Sequence, residues 1–208
     1  MKTPDPSDRC APAGDGGCVV VAVCGGIAAY KVCGVVSTLV QRGIDVTVVM
    51  TEAATRFVGP VTFQALTARP VLVDLFDARL SDDPQHIHVT GRADLLLVAP
   101  ATADMIAKAA CGICDDLVST MLVAARCPIV FAPSMNEAMW ANKVVQSNVK
   151  RLEVLGYGLV GPVSGWMACR STGMGRMAEA DDIVGEILSL LESARGGGGS
   201  SVSSNRAD

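Results

Sequence analysis

The feature that most constrains the fold is an apolar run near the start of the chain, Cys18 to Ala29, interrupted only by Gly25-Gly26. It is far shorter than the roughly 20 residues that a membrane-spanning helix needs. Its small residues and the preceding Lys2 and Arg9 imitate a signal peptide, but three aspartates in the same flank and the glycine pair argue against one. A short run of this kind is typical of a strand buried on both faces of a parallel sheet. We therefore interpret it as the first strand of such a sheet.

Strand-like and helix-like segments alternate along the rest of the chain. Short runs rich in Val, Leu and Ile predict strands at 19–24, 45–50, 71–75, 95–99, 128–132 and 159–160. Apolar residues at helical spacing predict helices at 29–40, 102–110, 115–125, 142–155 and 181–191. We expect Pro100 and Pro133 to end the strands that precede them. This alternation predicts an α/β fold, a single-domain Rossmann-like (flavodoxin-like) three-layer structure with a parallel sheet.

The composition limits the class of protein and of partner. The chain has 208 residues, of which 50% are hydrophobic, and this suits one domain with a large core. A net charge of −4 without any basic block argues against nucleic acid or a membrane surface as a partner. Residues 1–17 and 194–208 are rich in Gly, Ser, Pro or Asp, so we predict two disordered tails around a functional domain at 18–193. Eight scattered cysteines in a chain of this size favour reduced thiols and a cytoplasmic location.

Ligands of parallel sheets bind at the carboxyl ends of the strands, which selects the loops at 25–28, 51–53, 100–105 and 133–140. Gly25 to Ala28 lies between a strand and a helix, where free amides and the helix dipole attract a phosphate. It lacks the third glycine of a dinucleotide fingerprint, and a tight turn without a ligand remains an alternative. Thr51 is either a second phosphate anchor or a plain N-cap. Two neighbouring anchors favour a mononucleotide over a dinucleotide.

The two histidines, His86 and His88, allow two interpretations. On a strand they would share a face and form half of a metal site, but no neighbouring cluster completes a ligand set, and the Cys111 and Cys114 pair has no second pair. We therefore expect no metal. A histidine close to the strand ends could instead act as an acid or base near neutral pH. The Gly-rich segment 165–179 is expected to be a mobile loop, either a lid carrying Cys169 or an ordinary surface loop.

Four segments together resemble one family. They are Ala99-Pro-Ala-Thr-Ala-Asp-Met-Ile-Ala-Lys108, Gly112-Ile-Cys-Asp-Asp-Leu-Val-Ser-Thr120, Ala132-Pro-Ser-Met-Asn-Glu-Ala-Met-Trp140 and Ala168-Cys-Arg-Ser-Thr-Gly-Met-Gly-Arg-Met-Ala-Glu179. In this order they are similar to the flavin-dependent cysteine decarboxylases: phosphopantothenoylcysteine decarboxylase of coenzyme A synthesis and the epidermin-type peptidyl-cysteine decarboxylases. The resemblance runs from about Val19 to Ile187. The third and fourth segments are its specific part.

The resemblance implies a role for each matching position. His86, but not His88, matches the active-site histidine, and Cys169 matches the proton-donating cysteine. Asn136 matches the substrate-binding asparagine, with Ala168 and Arg170 beside the substrate. The positions that would contact FMN are Gly25, Gly26, Ile27, Ala28, Thr51, Phe57, Thr102, Ala103, Asp104, Met105 and Ser134. Two positions depart from the family pattern: Asp104 replaces an Asn, and Arg170 replaces a Gly.

The chemistry implied by the resemblance is consistent within itself. A cysteine whose amine is acylated cannot form a Schiff base, so loss of CO₂ needs an electron sink that a flavin can create by oxidising the thiol to a thioaldehyde. The leading substrate is 4′-phosphopantothenoylcysteine, and the alternative is the carboxy-terminal cysteine of a modified peptide, which ends as an enethiol. A non-catalytic phosphatase inhibitor and a flavin reductase-like binder are further alternatives. The family also implies a homotrimer or dodecamer with FMN at the subunit interface.

Overall fold

The structure, a computed structural model, describes residues 16–75 and 85–196, and for residues 85–88 and 196 it describes the backbone alone. The predicted tail at 1–17 therefore lies almost wholly outside the described residues. So does the predicted tail at 194–208, except for residues 194–196, which continue the last helix.

Five parallel strands form the central sheet in the order β2-β1-β3-β4-β5. The strands are β1 (Cys18–Val23), β2 (Asp45–Met50), β3 (Leu95–Ala101), β4 (Ile129–Pro133) and β5 (Gly158–Leu159). The helices are α1 (Ala29–Gln41), α2 (Glu52–Thr55), α3 (Pro60–Thr67), α4 (Gln85–Arg92), α5 (Ala103–Cys111), α6 (Leu117–Ala124), α7 (Glu137–Trp140), α8 (Lys143–Val154) and α9 (Ala180–Gly196). This strand order is the flavodoxin-like one, with its switch point between β1 and β3. The predicted α/β fold is confirmed.

The sheet separates two hydrophobic cores, which explains why its strands are apolar throughout. On one face, Val19 and Val21 pack with residues of α1, α3 and α9. On the other face, Val20 and Ala22 pack with residues of α5, α6 and α8. Every residue of β1 and β3 is buried, because alternate residues pack into the cores on opposite faces of the sheet. None of the helices in the described ranges is long and apolar enough to cross a membrane.

Two predicted strands differ from the observed ones. The segment predicted as a strand at 71–75 contributes one bridge, in which Leu72 pairs with Val49 at the sheet edge. The strand expected to end before Pro100 continues to Ala101, with an irregular register after Val98. Proline has no backbone N–H to donate, but near the end of a strand this costs the sheet few of its inter-strand hydrogen bonds.

The Gly-rich segment is not the irregular loop that the sequence predicted. It contains an antiparallel hairpin of β6 (Val163–Trp166) and β7 (Thr172–Arg176). β7 lies against the loop after β4, where the Met135 backbone N–H donates to the Gly175 carbonyl at 2.9 Å. A Cβ on Gly175 would collide with the Met135 carbonyl, and one on Gly173 with the Glu137 carboxylate. The glycines that obscured the strand in the sequence therefore allow it to dock.

Candidate active site

A cleft of about 840 Å³ lies where β1, β3 and β4 end, between their loops and the β6–β7 hairpin. Its volume is within the range of small-molecule sites. Most of its lining comes from the loops selected by the strand-end rule and from the hairpin: Gly25, Gly26, Ile27, Ala28, Tyr30, Lys31, Thr102, Ala103, Asp104, Ser134, Met135, Asn136, Met139, Trp166, Met167, Ala168, Cys169, Gly175, Arg176 and Met177. Eleven of the predicted site residues thus share one cleft.

The first glycine loop presents the start of α1 to this cleft. α1 has 13 residues, no side-chain cap at Ala28 and no acidic residue in its first turn. The Ala29 and Lys31 backbone N–H groups donate to the Gly26 and Ala28 carbonyls at 2.9 and 3.0 Å, so what the helix start offers an anion is the positive end of its dipole. Gly25 is required for packing, because a Cβ there would collide with Ala53 of α2. Gly26 faces open space instead, with Pro100 and Thr102 at ordinary contact distance from a built Cβ.

A second helix start enters the cleft from β3. The Thr102 hydroxyl caps α5 by accepting from the Met105 backbone N–H at 3.2 Å. Ala103 and Asp104 follow at the cleft wall. Ser134, after β4, lies next to this helix start, because its backbone N–H donates to the Ala101 carbonyl at 3.0 Å. Met105 is only 1% exposed and packs in the core beneath α5, so its side chain does not line the cleft as the resemblance implied.

Asp104 belongs to a charge cluster centred on Lys108. The Lys108 ammonium lies 2.8 Å from carboxylate oxygens of Asp115 and Asp116 and 3.6 Å from Asp104. Although burial lowers its pKa, the hydrogen bonds that Lys108 donates to the two closer carboxylates outweigh burial and raise the Lys108 pKa above its usual value. The hydrogen bond from Lys108 lowers the pKa of Asp115. Asp104 therefore brings a carboxylate to the cleft wall with a cation already beside it.

Asn136 and Cys169 meet in the cleft although 33 residues separate them. The Asn136 Oδ1 caps α7 by accepting from the Ala138 backbone N–H at 2.8 Å. This cap orients the amide so that Nδ2 donates to the Cys169 Sγ at 3.4 Å. Ser171 Oγ lies 3.1 Å from the same sulfur. Hydrogen bonds from Ser171 and then Asn136 lower the pKa of the exposed Cys169 thiol below its usual value.

Arg170 occupies the strained position of the hairpin turn. The turn is closed by Arg170 N–H donating to Met167 O and Met167 N–H donating to Ser171 O, both at 2.9 Å. Arg170 has a φ of 62°, the left-handed value that three-residue hairpin loops place before the second strand and that favours glycine. Its side chain is not among those that line the cleft.

Replacing Arg170 by Gly is expected to leave the protein about 1 kcal/mol more stable than replacing it by Ala. Both variants remove the guanidinium, but only glycine removes the clash of Cβ in the left-handed region. Urea unfolding of the two variants measures the difference in the free energy of unfolding. Equal stabilities would contradict strain at this position.

Three other predicted site residues lie outside the cleft lining. The Thr51 hydroxyl accepts from the Ala54 backbone N–H at 3.2 Å, so it is the N-cap of the four-residue α2 and not a second anchor within this cleft. Phe57 is 50% exposed on the surface after α2. His86 lies at the start of α4, and its side chain lies outside the described residues.

α4 also corrects one interpretation of the two histidines. Gln85–Arg92 is helical, and residues two apart on a helix do not share a face. The segment is therefore not the strand on which the two histidines would share a face as a metal pair. Within the described ranges, no three His, Cys, Asp or Glu residues are grouped as a metal site requires.

Sequence reasoning missed several residues of the site. Lys31 and Arg176 line the cleft and both pair with Glu179, Lys31 at 3.9 Å. Trp166 and Tyr30 add exposed aromatic surface to the lining. Lys31 lies one turn into the helix after the glycine loop, a spacing that could have identified it. Tyr30 lies beside Lys31 on α1. Trp166 and Arg176 depend on the hairpin, which the sequence did not reveal.

The chain is similar to known proteins in sequence. The profile of the family described as Flavoprotein matches residues 14–192. The coenzyme A biosynthesis bifunctional protein CoaBC of Mycobacterium tuberculosis is 44% identical over 176 residues, which are 84% of this chain and 41% of that protein. CoaBC of Bacillus subtilis is 45% identical over 80% of this chain and 41% of its own length. The chain thus spans less than half the length of these curated relatives.

Solved structures share the fold over most of the chain. The FMN-dependent cysteine decarboxylase SpaF superposes with a TM-score of 0.73 and 34% identity, over 85% of this chain and 96% of that one. A PPC decarboxylase mutant complexed with pantothenoylaminoethenethiol superposes with a TM-score of 0.75 and 27% identity, over 85% and 98% of the two chains.

Proposed function

The chain belongs to the Flavoprotein family, and we propose that it is an FMN-dependent carboxy-lyase that releases CO₂ from an N-acylated cysteine. The leading substrate is 4′-phosphopantothenoylcysteine, which would become 4′-phosphopantetheine in coenzyme A biosynthesis. The observation that carries the proposal is the contact between Asn136 and Cys169 in a cleft that also holds two helix N-termini. The likeness to CoaBC and to a PPC decarboxylase supports it.

The cleft has the donors and apolar surface that FMN needs. The positive end of the α1 dipole and the Ser134 hydroxyl suit a phosphate and a ribityl chain. Ile27 and several methionines offer apolar surface to a flat ring. When bound, FMN would supply the redox chemistry by accepting a hydride from the substrate and returning it. The absence of a third loop glycine favours FMN over a dinucleotide.

The residues of the chain would divide the remaining work. Asn136 Nδ2 would hold the substrate carboxylate, because Oδ1 is committed to the α7 cap. His86 would accept the proton lost during thiol oxidation. Cys169 would return a proton to the carbon that lost CO₂. Because the lowered pKa of Cys169 reduces its protonated fraction, this last step should slow as pH rises through that pKa.

The charges of the cleft support an anionic substrate. Lys31 and Arg176 both line it, and Glu179, their shared partner, could release them to a phosphate. The second candidate, a peptide ending in cysteine that is converted to an enethiol, is favoured by the 34% identity to SpaF. The described residues of the cleft offer no comparable support for the other two alternatives, a non-catalytic phosphatase inhibitor and a flavin reductase-like binder.

We also propose a homotrimer or dodecamer with FMN at the subunit interface. Large apolar side chains are exposed at the start of α1, where Ile27 and Tyr30 lie, and on the segment from α2 into α3, where Phe57 and Val61 lie. Exposed apolar patches of this kind mark interaction surfaces, and Phe57 could reach FMN from a neighbouring subunit. A cytoplasmic location fits Cys24, Cys111 and Cys114, which are thiols and not disulfides.

Purified protein should be incubated in parallel with 4′-phosphopantothenoylcysteine and with a peptide ending in cysteine. We expect the first to lose CO₂ and keep both hydrogens of a saturated thiol, measured by mass spectrometry. Conversion of the peptide alone, to a product two hydrogens lighter, would favour the second candidate. The flavin released by denaturation should be FMN, and chromatographic identification of FAD would reject the proposed cofactor.

A further inference from the structure

The Cys169 sulfur is held from two sides by different elements. Ser171 Oγ lies 3.1 Å away within the hairpin, and Asn136 Nδ2 donates at 3.4 Å from the start of α7. The Asn136 amide cannot turn away without losing its 2.8 Å cap on Ala138. These contacts fix the sulfur relative to the group that would hold the substrate carboxylate.

Ser171 is itself fixed by the hairpin. Its carbonyl accepts from the Met167 N–H at 2.9 Å and closes the turn, and Thr172 begins β7 directly after it. Ser171 is not among the residues that line the cleft, whereas Cys169 is. The contact that connects Ser171 to the cleft lining is therefore the one between its hydroxyl and the Cys169 sulfur.

An asparagine amide nitrogen carries two hydrogens. One N–H of Asn136 points at the sulfur, and the second remains for a carboxylate. A single side chain can thus position the leaving carboxylate and the thiol on neighbouring points. This is the arrangement needed if a proton is to replace CO₂ on the same carbon.

We propose that Ser171 is a positioning residue that, together with Asn136, holds Cys169 beside the carbon that loses CO₂ and stabilises the thiolate left after proton transfer. This inference rests on the proposed function. In the step concerned, the S–H bond of Cys169 breaks and a C–H bond forms at the carbon that carried the carboxylate. The electron pair of that bond comes from the substrate enethiolate, and the resulting thioaldehyde takes its hydride from the reduced cofactor. The Cys169 thiolate keeps hydrogen bonds from Ser171 and Asn136 until water reprotonates it.

The test is the pH dependence of Cys169 alkylation by iodoacetamide, followed by mass spectrometry of the peptide that contains it. Removing the Ser171 hydroxyl should move the midpoint to higher pH, with the rate near neutral pH falling by about 3- to 10-fold in Ser171→Ala. Ser171→Thr, which keeps a hydroxyl, should restore the wild-type profile. Thr172→Val is the matched control for loss of a hydroxyl from the next residue. The exposed Cys111 in the same sample reports general accessibility.

The second readout is the product formed from 4′-phosphopantothenoylcysteine. In a single turnover, Ser171→Ala should leave more of the product two hydrogens lighter than the saturated thiol for each CO₂ released, together with an equal amount of flavin that stays reduced until oxygen reoxidises it. An unchanged pH dependence of alkylation in Ser171→Ala would contradict a hydrogen bond between Ser171 and the Cys169 sulfur. An unchanged ratio of the lighter product to the saturated thiol would contradict a role of Ser171 in proton transfer. If wild-type protein releases no CO₂ from either substrate, the proposed function and the transfer role fail together. The pH dependence of alkylation would then be the only test of whether the Ser171 hydroxyl hydrogen-bonds the Cys169 sulfur.

Discussion

The His86→Asn variant is expected to lose decarboxylation by about 10²- to 10⁴-fold, the usual contribution of a general base, while it still binds flavin. Asparagine keeps the polarity of the position but cannot accept a proton at neutral pH. The measurement is CO₂ release from 4′-phosphopantothenoylcysteine, with flavin content determined by absorbance of the same preparation.

The matched control is His88→Asn, and the structure makes it a sharp one. Both residues lie on α4, where positions two apart do not share a face. We expect His88→Asn to keep activity close to that of the wild type. Equal losses in the two variants would contradict the role of His86 and point to a general effect on α4.

The sheet could be predicted from the sequence because its strands are buried on both faces. Residues 95–99 and 45–50 are apolar enough to be recognised without knowledge of their neighbours, and both strands are confirmed. The strand-end rule then selected the loops that form much of the cleft. Topology thus selected the loops that contain Gly26, Thr102 and Ser134, and the resemblance singled out Thr102 and Ser134 within them.

The hairpin could not be predicted from local sequence, because β7 is stabilised by contacts with distant parts of the chain. β7 reads Thr-Gly-Met-Gly-Arg, and glycine lowers strand propensity. Its glycines are explained by the close approach of two groups from another part of the chain, the Met135 carbonyl and the Glu137 carboxylate, which leave no room for a Cβ. For the same reason no local pattern showed that Ser171 and Asn136 would meet at one sulfur. The resemblance suggested roles for Asn136 and Cys169, but their contact needed the fold.

The Cys169→Ser variant is expected to separate the two halves of the proposed reaction. In the proposed reaction, oxidation and loss of CO₂ depend on FMN, His86 and the Asn136 amide, and none of these is changed. Return of the proton should fail, because a hydroxyl is a far weaker acid than a thiol, whose ordinary pKa is about 8.5. In this protein the contrast is larger, since Ser171 and Asn136 lower the Cys169 pKa further.

Mass spectrometry should therefore find a product two hydrogens lighter than the saturated thiol, with flavin that stays reduced until oxygen is admitted. A related PPC decarboxylase with a cysteine replaced by serine is complexed with pantothenoylaminoethenethiol, an enethiol of the expected kind. The control is Cys111→Ser, which removes an exposed thiol outside the cleft lining and should leave the product unchanged. If Cys169→Ser gives the same saturated thiol as the wild type, Cys169 is a hairpin residue without a chemical role. If the wild type itself ends at the enethiol, the peptide substrate becomes the better assignment, because that reaction needs no returning proton.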